Sequence, residues 1–202
     1  EDLLEAAQML DRNFLFNVVL NDHKEILGIF AGDIYQAHLL GCQMVSDIYG
    51  VDIYELADVV IAGCGGYPKD INLYQAQKTL ENAAGAVKEG GQVVLLAQCP
   101  EGSGSQAFER WVCQYQKFED MERALQENFE LGGHKAYAVA KVLRKCTVHL
   151  VSQLSPNQAL QWGFYPALSL DEAVERIYAG SGKNLLTYIM PQGSMTVPLL
   201  RT

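Results

Sequence analysis

The chain has 202 residues, of which 49% are hydrophobic and 19% are charged, proportions typical of a globular domain rather than a disordered one. Its 24 acidic and 15 basic residues give a formal net charge of −9. The basic residues form no stripe along the sequence, which argues against duplex nucleic acid or an anionic membrane surface as a partner.

The apolar runs and the cysteines favour a cytoplasmic protein. No apolar run is long enough to cross a bilayer, and the acidic opening lacks the positive charge of a signal peptide. The absence of an initiator methionine fits a chain whose natural start lies upstream. An odd number of scattered cysteines without a C-x-x-C pair predicts reduced thiols rather than disulfides or a zinc site. These cysteines are Cys42, Cys64, Cys99, Cys113 and Cys146.

Residues 1–50 differ in pattern from the rest of the chain. After a short acidic helix, the pattern predicts strands at 14–20 and 26–30, a polar turn at 21–25 and a helix at 33–50. Asp33 is expected to cap this helix and Gly50 to end it. A hairpin with one helix cannot bury its own apolar surface well, so we interpret residues 1–50 as a fragment of a preceding domain.

Residues 51–202 alternate between continuously apolar strands and amphipathic helices. This pattern is typical of an α/β domain with a doubly wound, Rossmann-like parallel sheet covered on both faces. The predicted strands are 58–63, 92–98, 147–152 and 185–190, and the predicted helices are 71–88, 106–115, 118–127, 134–145 and 169–180.

Two loops follow the first two strands of this series, at the sheet edge where such folds bind ligands. In the first, Gly65 and Gly66 allow a close approach of the backbone to a ligand, and Asp70 is expected to cap the next helix. In the second loop, Ser103 and Ser105 lie in a glycine-rich stretch that could bind an anion through its backbone. Its composition alone favours the plainer interpretation, a surface connection.

Tyr74, Gln75 and Lys78 lie within one turn of the helix after the first loop. A phenol, an amide and an ammonium at this spacing could hold a carboxylate. The spacing alone favours packing of Tyr74 and solvation of the other two.

Other common sites find little support. The first loop lacks a G-x-G-x-x-G fingerprint, and the second strand ends in Gln98 and Cys99 without an acidic residue, so NAD binding is poorly supported. Neither a Walker A motif nor a G-x-S-x-G motif occurs, and no two histidines have metal-ligand spacing.

Several segments together resemble the carboxy-terminal half of the nickel-dependent lactate racemase family, whose members use a nickel-pincer nucleotide. The most specific is GGYPKDINLYQAQK at 65–78. The other segments are LFNVVLN at 15–21, AGDIYQAHLLG at 31–41, KEGGQVVLLAQCPEGSG at 88–104, LGGHKA at 131–136 and VHLVSQL at 148–154.

The resemblance implies that Tyr74, Gln75 and Lys78 hold the carboxylate and hydroxyl side of a small 2-hydroxy acid. In that family the cofactor takes hydride from the carbon that bears the hydroxyl and returns it to the other face. The cofactor-tethering lysine, the nickel-binding histidine and the histidine bases belong to the amino-terminal domain, so no catalytic or metal-binding residue is expected here.

One departure concerns substrate size. Lactate-specific members carry a tryptophan near the start of the later helix, where this chain reads GGHKAYA at 132–138. His134 and Lys135 could instead contact a larger 2-hydroxy acid or simply cap the helix. Together with Gly65 and Gly66, they are candidate lining residues of the site.

The sequence therefore predicts the carboxy-terminal part of a racemase or epimerase of 2-hydroxy acids that is inactive without its own amino-terminal domain. The alternative is a non-catalytic Rossmann-like binding module for a small carboxylate or a nucleotide. An NAD-dependent dehydrogenase is a weaker third possibility.

Overall fold

The computed structural model of the chain describes residues 2–10, 13–115, 117–180 and 184–201. By its internal contacts the chain divides into two compact units, Glu1–Gly50 and Val51–Thr202.

The first unit contains the hairpin and helix that its sequence predicts. Its elements are α1 (Asp2–Gln8), β1 (Leu15–Leu20), β2 (Ile26–Gly32) and α2 (Ile34–Tyr49). β1 and β2 pair antiparallel. Asp33 caps α2, because its carboxylate accepts the backbone N–H groups of Tyr35 and Gln36 at 3.1 and 2.9 Å. Gly50 follows the last helical residue, as expected.

The first unit buries little of its own apolar surface. Helix α2 packs closely on the hairpin, since a Cβ atom built on Gly28 would lie 2.5 Å from the Met44 sulfur. Val19 and Ala37 are buried between them. Large hydrophobic side chains that are more than half exposed include Phe14, Phe16, Ile26, Ile29 and Leu40. A stable surface rarely carries so much apolar area unless another part of a protein covers it.

The second unit is built on a five-stranded parallel sheet in the order β7-β6-β5-β4-β8. This sheet, flanked by helices, confirms the predicted α/β fold. Its elements are β3 (Gly50–Ile53), β4 (Ala57–Gly63), α3 (Leu73–Ala86), β5 (Val87–Leu96), α4 (Gln106–Gln114), α5 (Phe118–Glu127), α6 (Gly133–Lys145), β6 (Thr147–Val151), α7 (Pro156–Gln161), β7 (Tyr165–Ala167), α8 (Leu170–Gly180), β8 (Thr187–Met190), a short 3₁₀ helix (Gly193–Met195) and β9 (Val197–Leu200).

The apolar strands supply two cores, one on each face of the sheet. Adjacent residues of a strand point to opposite faces, so Val60 enters the larger core while its neighbour Val59 enters the smaller one. The larger core contains side chains from α3 through α7, and the smaller core contains Ala173 and Ile177 of α8. Strands that are buried on both faces are apolar at most positions, which explains their nearly continuous hydrophobic pattern.

Gly66 and Gly85 offer a matched pair for testing the backbone of the first loop. A Cβ atom built on either residue meets no atom within 4 Å, but Gly66 has a φ of +76° and Gly85 lies in α3. We expect Gly66→Ala to lower the free energy of unfolding by about 1 kcal/mol, because an L side chain disfavours positive φ. Gly85→Ala should raise it by about 0.5 kcal/mol. Urea unfolding of both variants measures the two free energies of unfolding. Equal changes in both variants would refute the conclusion that the loop requires glycine at position 66.

The β6 residue His149 links stability to pH. Its side chain is buried beneath α8, and its Nε2 lies 2.8 Å from Oε1 of Gln92. Burial lowers the pKa of His149 below its ordinary value of 6.5, and the nearby charge of Arg176 lowers it further. The folded chain therefore binds this proton less tightly than the unfolded chain does.

Stability should consequently fall as the pH falls through about 6.5 towards the lowered pKa of the folded state. We expect His149→Phe to flatten this dependence in urea midpoints measured between about pH 5 and 8. His23→Gln changes an exposed histidine and should leave the wild-type slope in place. An unchanged slope in His149→Phe would exclude His149 as its source.

Candidate functional site

Helix α3 carries the three residues predicted to hold substrate, and the loop after β5 holds its first turn in place. The backbone N–H groups of Leu73 and Tyr74 donate to the carbonyls of Gly102 and Ser103, both at 3.0 Å. The next N–H, that of Gln75, donates to the side chain of Asn72 at 3.1 Å. Three of the four N–H groups that a helix normally leaves unpaired at its start are therefore used within the protein.

The cap of α3 corrects a prediction. Asn72, not Asp70, is the N-cap, and the helix runs from Leu73 to Ala86 rather than over residues 71–88. Asp70 is instead buried in the loop, where its carboxylate lies 3.4 Å from the backbone nitrogen of Gln98. Because the helix terminus is already occupied, an anionic ligand must be bound by side chains rather than by the α3 backbone.

Tyr74, Gln75 and Lys78 form a polar surface on the first turns of α3, which we call the clamp. Tyr74 and Gln75 are half-buried and Lys78 is exposed. The Lys78 ammonium donates to Oε1 of Gln75 at 2.9 Å. The clamp therefore combines a phenol, an amide and an ammonium, each of which has N–H or O–H groups that can donate hydrogen bonds.

Helix α6 is held against α4 by two glycines that admit no side chain. Gly132 has a φ of +98°, and a Cβ atom there would lie 2.5 Å from the Ser105 hydroxyl oxygen. A Cβ atom on Gly133 would lie 2.4 Å from the Trp111 ring. The next two residues, His134 and Lys135, are thereby placed beside Tyr74 of the clamp.

His134 and Lys135 both contact Tyr74. The His134 ring meets Tyr74 edge-on at 6.4 Å between ring centroids and stacks on Phe129 at 5.4 Å. Its Nδ1 accepts the backbone N–H of Gly132 at 3.2 Å. The Lys135 ammonium lies 5.6 Å from the Tyr74 ring centroid and donates to Oε1 of Gln77 at 2.5 Å. The structure therefore brings these two predicted lining residues to the clamp.

The two predicted lining glycines have different neighbours. Both have positive φ, +85° at Gly65 and +76° at Gly66, so the loop requires glycine there. A side chain on Gly65 would face Lys69 and Gln192, and Gly66 is open. No contact recorded among the described residues joins either glycine to Tyr74.

The second loop has a structural role that contradicts the anion-binding interpretation. Ser103 is buried, and its hydroxyl donates to a Glu109 carboxylate oxygen at 2.6 Å. Ser105 caps α4 by accepting the N–H of Phe108 at 3.2 Å. The N–H groups of Glu101 and Gly102 donate to backbone carbonyls. These groups are engaged within the protein and are not available to an anion.

The thiols at this edge of the sheet are poor nucleophiles. Burial raises the pKa of Cys64 above its ordinary value, and burial together with the nearby Cys64 and Asp70 raises the pKa of Cys99 to about 12. A buried thiol with a raised pKa stays protonated at neutral pH. It is then unreactive, because the nucleophile is the thiolate. Both thiols therefore lack the lowered pKa that is typical of a reactive cysteine.

Within the described ranges, no cluster of three or more His, Cys, Asp and Glu side chains could hold a metal ion. No helix among the described residues is long and apolar enough to cross a membrane. A cleft of about 570 Å³ lies along β3, β8 and β9, away from the clamp. None of the three clamp residues lines this cleft.

The parallel sheet with helices on both faces defines a Rossmann-like α/β domain, and the clamp lies beyond the carboxyl end of β4, at the edge where such domains bind ligands. Residues 53–197 match the model of the lactate racemase C-terminal domain, and the chain belongs to this family.

Similar proteins agree with this assignment. Lactate racemase from Lactiplantibacillus plantarum is 31% identical over 201 residues, which cover 96% of this chain and 46% of that protein. Lactate racemase from Thermoanaerobacterium thermosaccharolyticum is 40% identical over 110 residues, 54% of this chain and 26% of that protein. The chain thus spans less than half the length of the relatives it matches.

Two solved structures are similar in fold. The lactate racemase apoprotein from Thermoanaerobacterium thermosaccharolyticum matches 98% of this chain and 48% of its own, with a TM-score of 0.86 and 29% identity. A Thermotoga maritima protein matches 93% of this chain and 49% of its own, with a TM-score of 0.61 and 14% identity. At 14% identity the second match supports the fold alone.

The cap of α3 can be tested directly. Asn72→Ala should lower the free energy of unfolding by about 1 kcal/mol, because it leaves the Gln75 N–H without its side-chain acceptor. Asn72→Ser keeps a side-chain acceptor at the cap without placing a second carboxylate beside Glu101, and it should retain most of the stability. Urea unfolding compares the two variants, and an equal loss in both would mean that capping is not what Asn72 contributes.

Proposed function

We propose that this chain is the substrate-clamping, carboxy-terminal part of a racemase or epimerase of 2-hydroxy acids. The observation that carries the proposal is the clamp, three donor side chains on the first turns of a helix whose start is held by an adjacent loop. Membership of the lactate racemase C-terminal domain family supports the reaction class.

The clamp suits a carboxylate with an adjacent hydroxyl. The Lys78 ammonium supplies charge, while the Tyr74 hydroxyl and the Gln75 amide supply directed hydrogen bonds to substrate oxygens. All three side chains extend from one turn of α3, so a bound 2-hydroxy acid is held in one orientation. Orientation of this kind presents the hydrogen on C2 to a reacting group brought by another part of the protein.

The family resemblance implies a nickel-pincer nucleotide that is held mainly by an amino-terminal domain. We assign the binding of this cofactor to sequence that precedes the present chain. We further propose that residues 1–50 belong to the cofactor domain and that residues 51–202 form the Rossmann-like domain. The exposed apolar side chains of the first unit support this assignment, because the rest of a cofactor domain would cover them. The present chain alone would then bind substrate weakly and catalyse nothing.

The test is racemisation of optically pure 2-hydroxy acids by the full-length protein with its cofactor. Lys78→Ala should lower kcat/KM by roughly tenfold to a hundredfold, because it removes a charge-assisted hydrogen bond to the carboxylate. Lys141→Ala removes an exposed lysine of α6 outside the clamp and should leave kcat/KM unchanged.

Full activity of Lys78→Ala would refute the clamp assignment. Activity of the 202-residue chain without preceding sequence would refute the division of labour. Absence of turnover of any 2-hydroxy acid by the cofactor-loaded protein, with retained binding of small carboxylates, would favour the non-catalytic binding module.

A further inference from the structure

Lys135 provides a second cation at the clamp, on the opposite side of Tyr74 from Lys78. Successive residues of an α-helix are 100° apart, so Gln77 and Lys78 lie on either side of the helix line through Tyr74. Lys78 lies on one side, and Lys135 reaches the other side from α6 by bonding to Gln77. The Lys135 ammonium lies 5.6 Å from the Tyr74 ring centroid, and Lys78 follows Tyr74 by about one helical turn on the other side of the helix line.

Each of these two lysines donates to a glutamine of α3. Lys78 donates to Gln75 and Lys135 donates to Gln77. Among the described residues, neither lysine lies within ion-pair distance of a carboxylate, whereas Lys88 pairs with Asp58. A neutral amide positions an ammonium without cancelling its charge, so both charges remain available to an anionic ligand.

Gln77 is placed to orient Lys135 rather than to stabilise the fold. Its side chain is 1% exposed, and its Nε2 finds no hydrogen-bond acceptor among the described residues. A buried, unpaired amide N–H destabilises a protein by about 1–3 kcal/mol. The orientation of the amide is not ambiguous, because the lysine ammonium can only donate and must therefore face Oε1. This arrangement holds the half-buried Lys135 ammonium beside the Tyr74 ring.

We propose that Lys135 binds a second carboxylate of the substrate, so that the preferred substrate is a short 2-hydroxy dicarboxylate. This inference rests on the proposed function. The clamp holds the carboxylate next to the hydroxyl, and Lys135 binds the distal carboxylate across Tyr74. The half-buried position of Lys135 makes this contact stronger than one with a fully solvated lysine. His134 stacks on Phe129 and meets Tyr74 edge-on, so the three rings form an aromatic surface beside this position.

The experiment compares two substrates of equal carbon number on the cofactor-loaded, full-length protein. 2-Hydroxybutanedioate carries a distal carboxylate, and 2-hydroxybutanoate carries a methyl group in its place. We expect wild-type kcat/KM to favour the dicarboxylate. Lys135→Met should lower the ratio of the two kcat/KM values about tenfold or more, because it removes the charge but keeps the length of the side chain. A ratio taken within one preparation is insensitive to partial loss of folded protein.

Two further variants separate charge from structure. Lys135→Arg keeps the charge and should retain most of the preference for the dicarboxylate. Lys141→Met, a change of an exposed lysine on the same helix, should keep the wild-type ratio. A loss in Lys135→Arg as large as that in Lys135→Met would overturn the electrostatic role.

The outcomes distinguish this inference from the proposed function. The inference is overturned if the protein racemises 2-hydroxybutanoate and shows no preference for the dicarboxylate. It is also overturned if the preference is unaffected by Lys135→Met. Either result leaves the proposed function standing. Turnover of neither substrate counts against the proposed function. In that case, calorimetric binding of butanedioate and butanoate decides the inference, which requires tighter binding of butanedioate that Lys135→Met abolishes.

Discussion

The pairing between the start of α3 and the loop after β5 is the constraint on which the candidate site depends. Gly102 and Ser103 accept the N–H groups of Leu73 and Tyr74, so two backbone segments from successive β-α units are joined directly. This pairing sets the direction in which α3 leaves the sheet and therefore the direction of Tyr74, Gln75 and Lys78. It also engages the backbone N–H groups at the start of α3, so an anion there would have to be bound by side chains.

The same loop helps to place α6. Gly104 packs so closely on the cap of α3 that a Cβ atom there would lie 2.3 Å from the Asn72 side chain. Ser105, one residue later, caps α4 and lies against Gly132 at the start of α6. Three helix starts thus meet at one short loop, and His134 and Lys135 come to Tyr74 as a consequence. Close packing therefore requires glycine at position 104, whereas Gly102 has open space around it and is favoured by its positive φ of +68°.

The fold was predictable because buried parallel strands leave a continuous apolar pattern, as at Val93, Val94 and Leu95 of β5. Short elements such as β3, β7 and β9 were missed, since their strands have few residues and β3 pairs with a strand distant in sequence. The cap of α3 was misassigned to Asp70 because both Asp70 and Asn72 are good capping residues. The choice between them depends on the loop carbonyls, which no local pattern reveals.

The candidate site likewise has a part that the sequence predicts and a part that it does not. Tyr74, Gln75 and Lys78 lie on one helix, so their spacing placed them together, although only the family resemblance gave them a role. The contact between Gln77 and Lys135 joins residues 58 positions apart and could not be predicted from spacing. A buried polar residue in an otherwise apolar helix face was the available signal, because Gln77 follows Leu73 and Ala76 into the core.

Under the proposed function, the exposure of the Lys78 ammonium would limit how tightly this domain alone holds a carboxylate. Ammonium groups near water bind carboxylates weakly, because solvent screens their charge and competes for both partners. The same groups bind far more strongly once a covering surface excludes water. A clamp on an exposed helix face is therefore best suited to a protein in which another domain completes the site. The cation pair beside Tyr74 would contribute most in that enclosed state, where the discrimination between one and two substrate carboxylates is greatest.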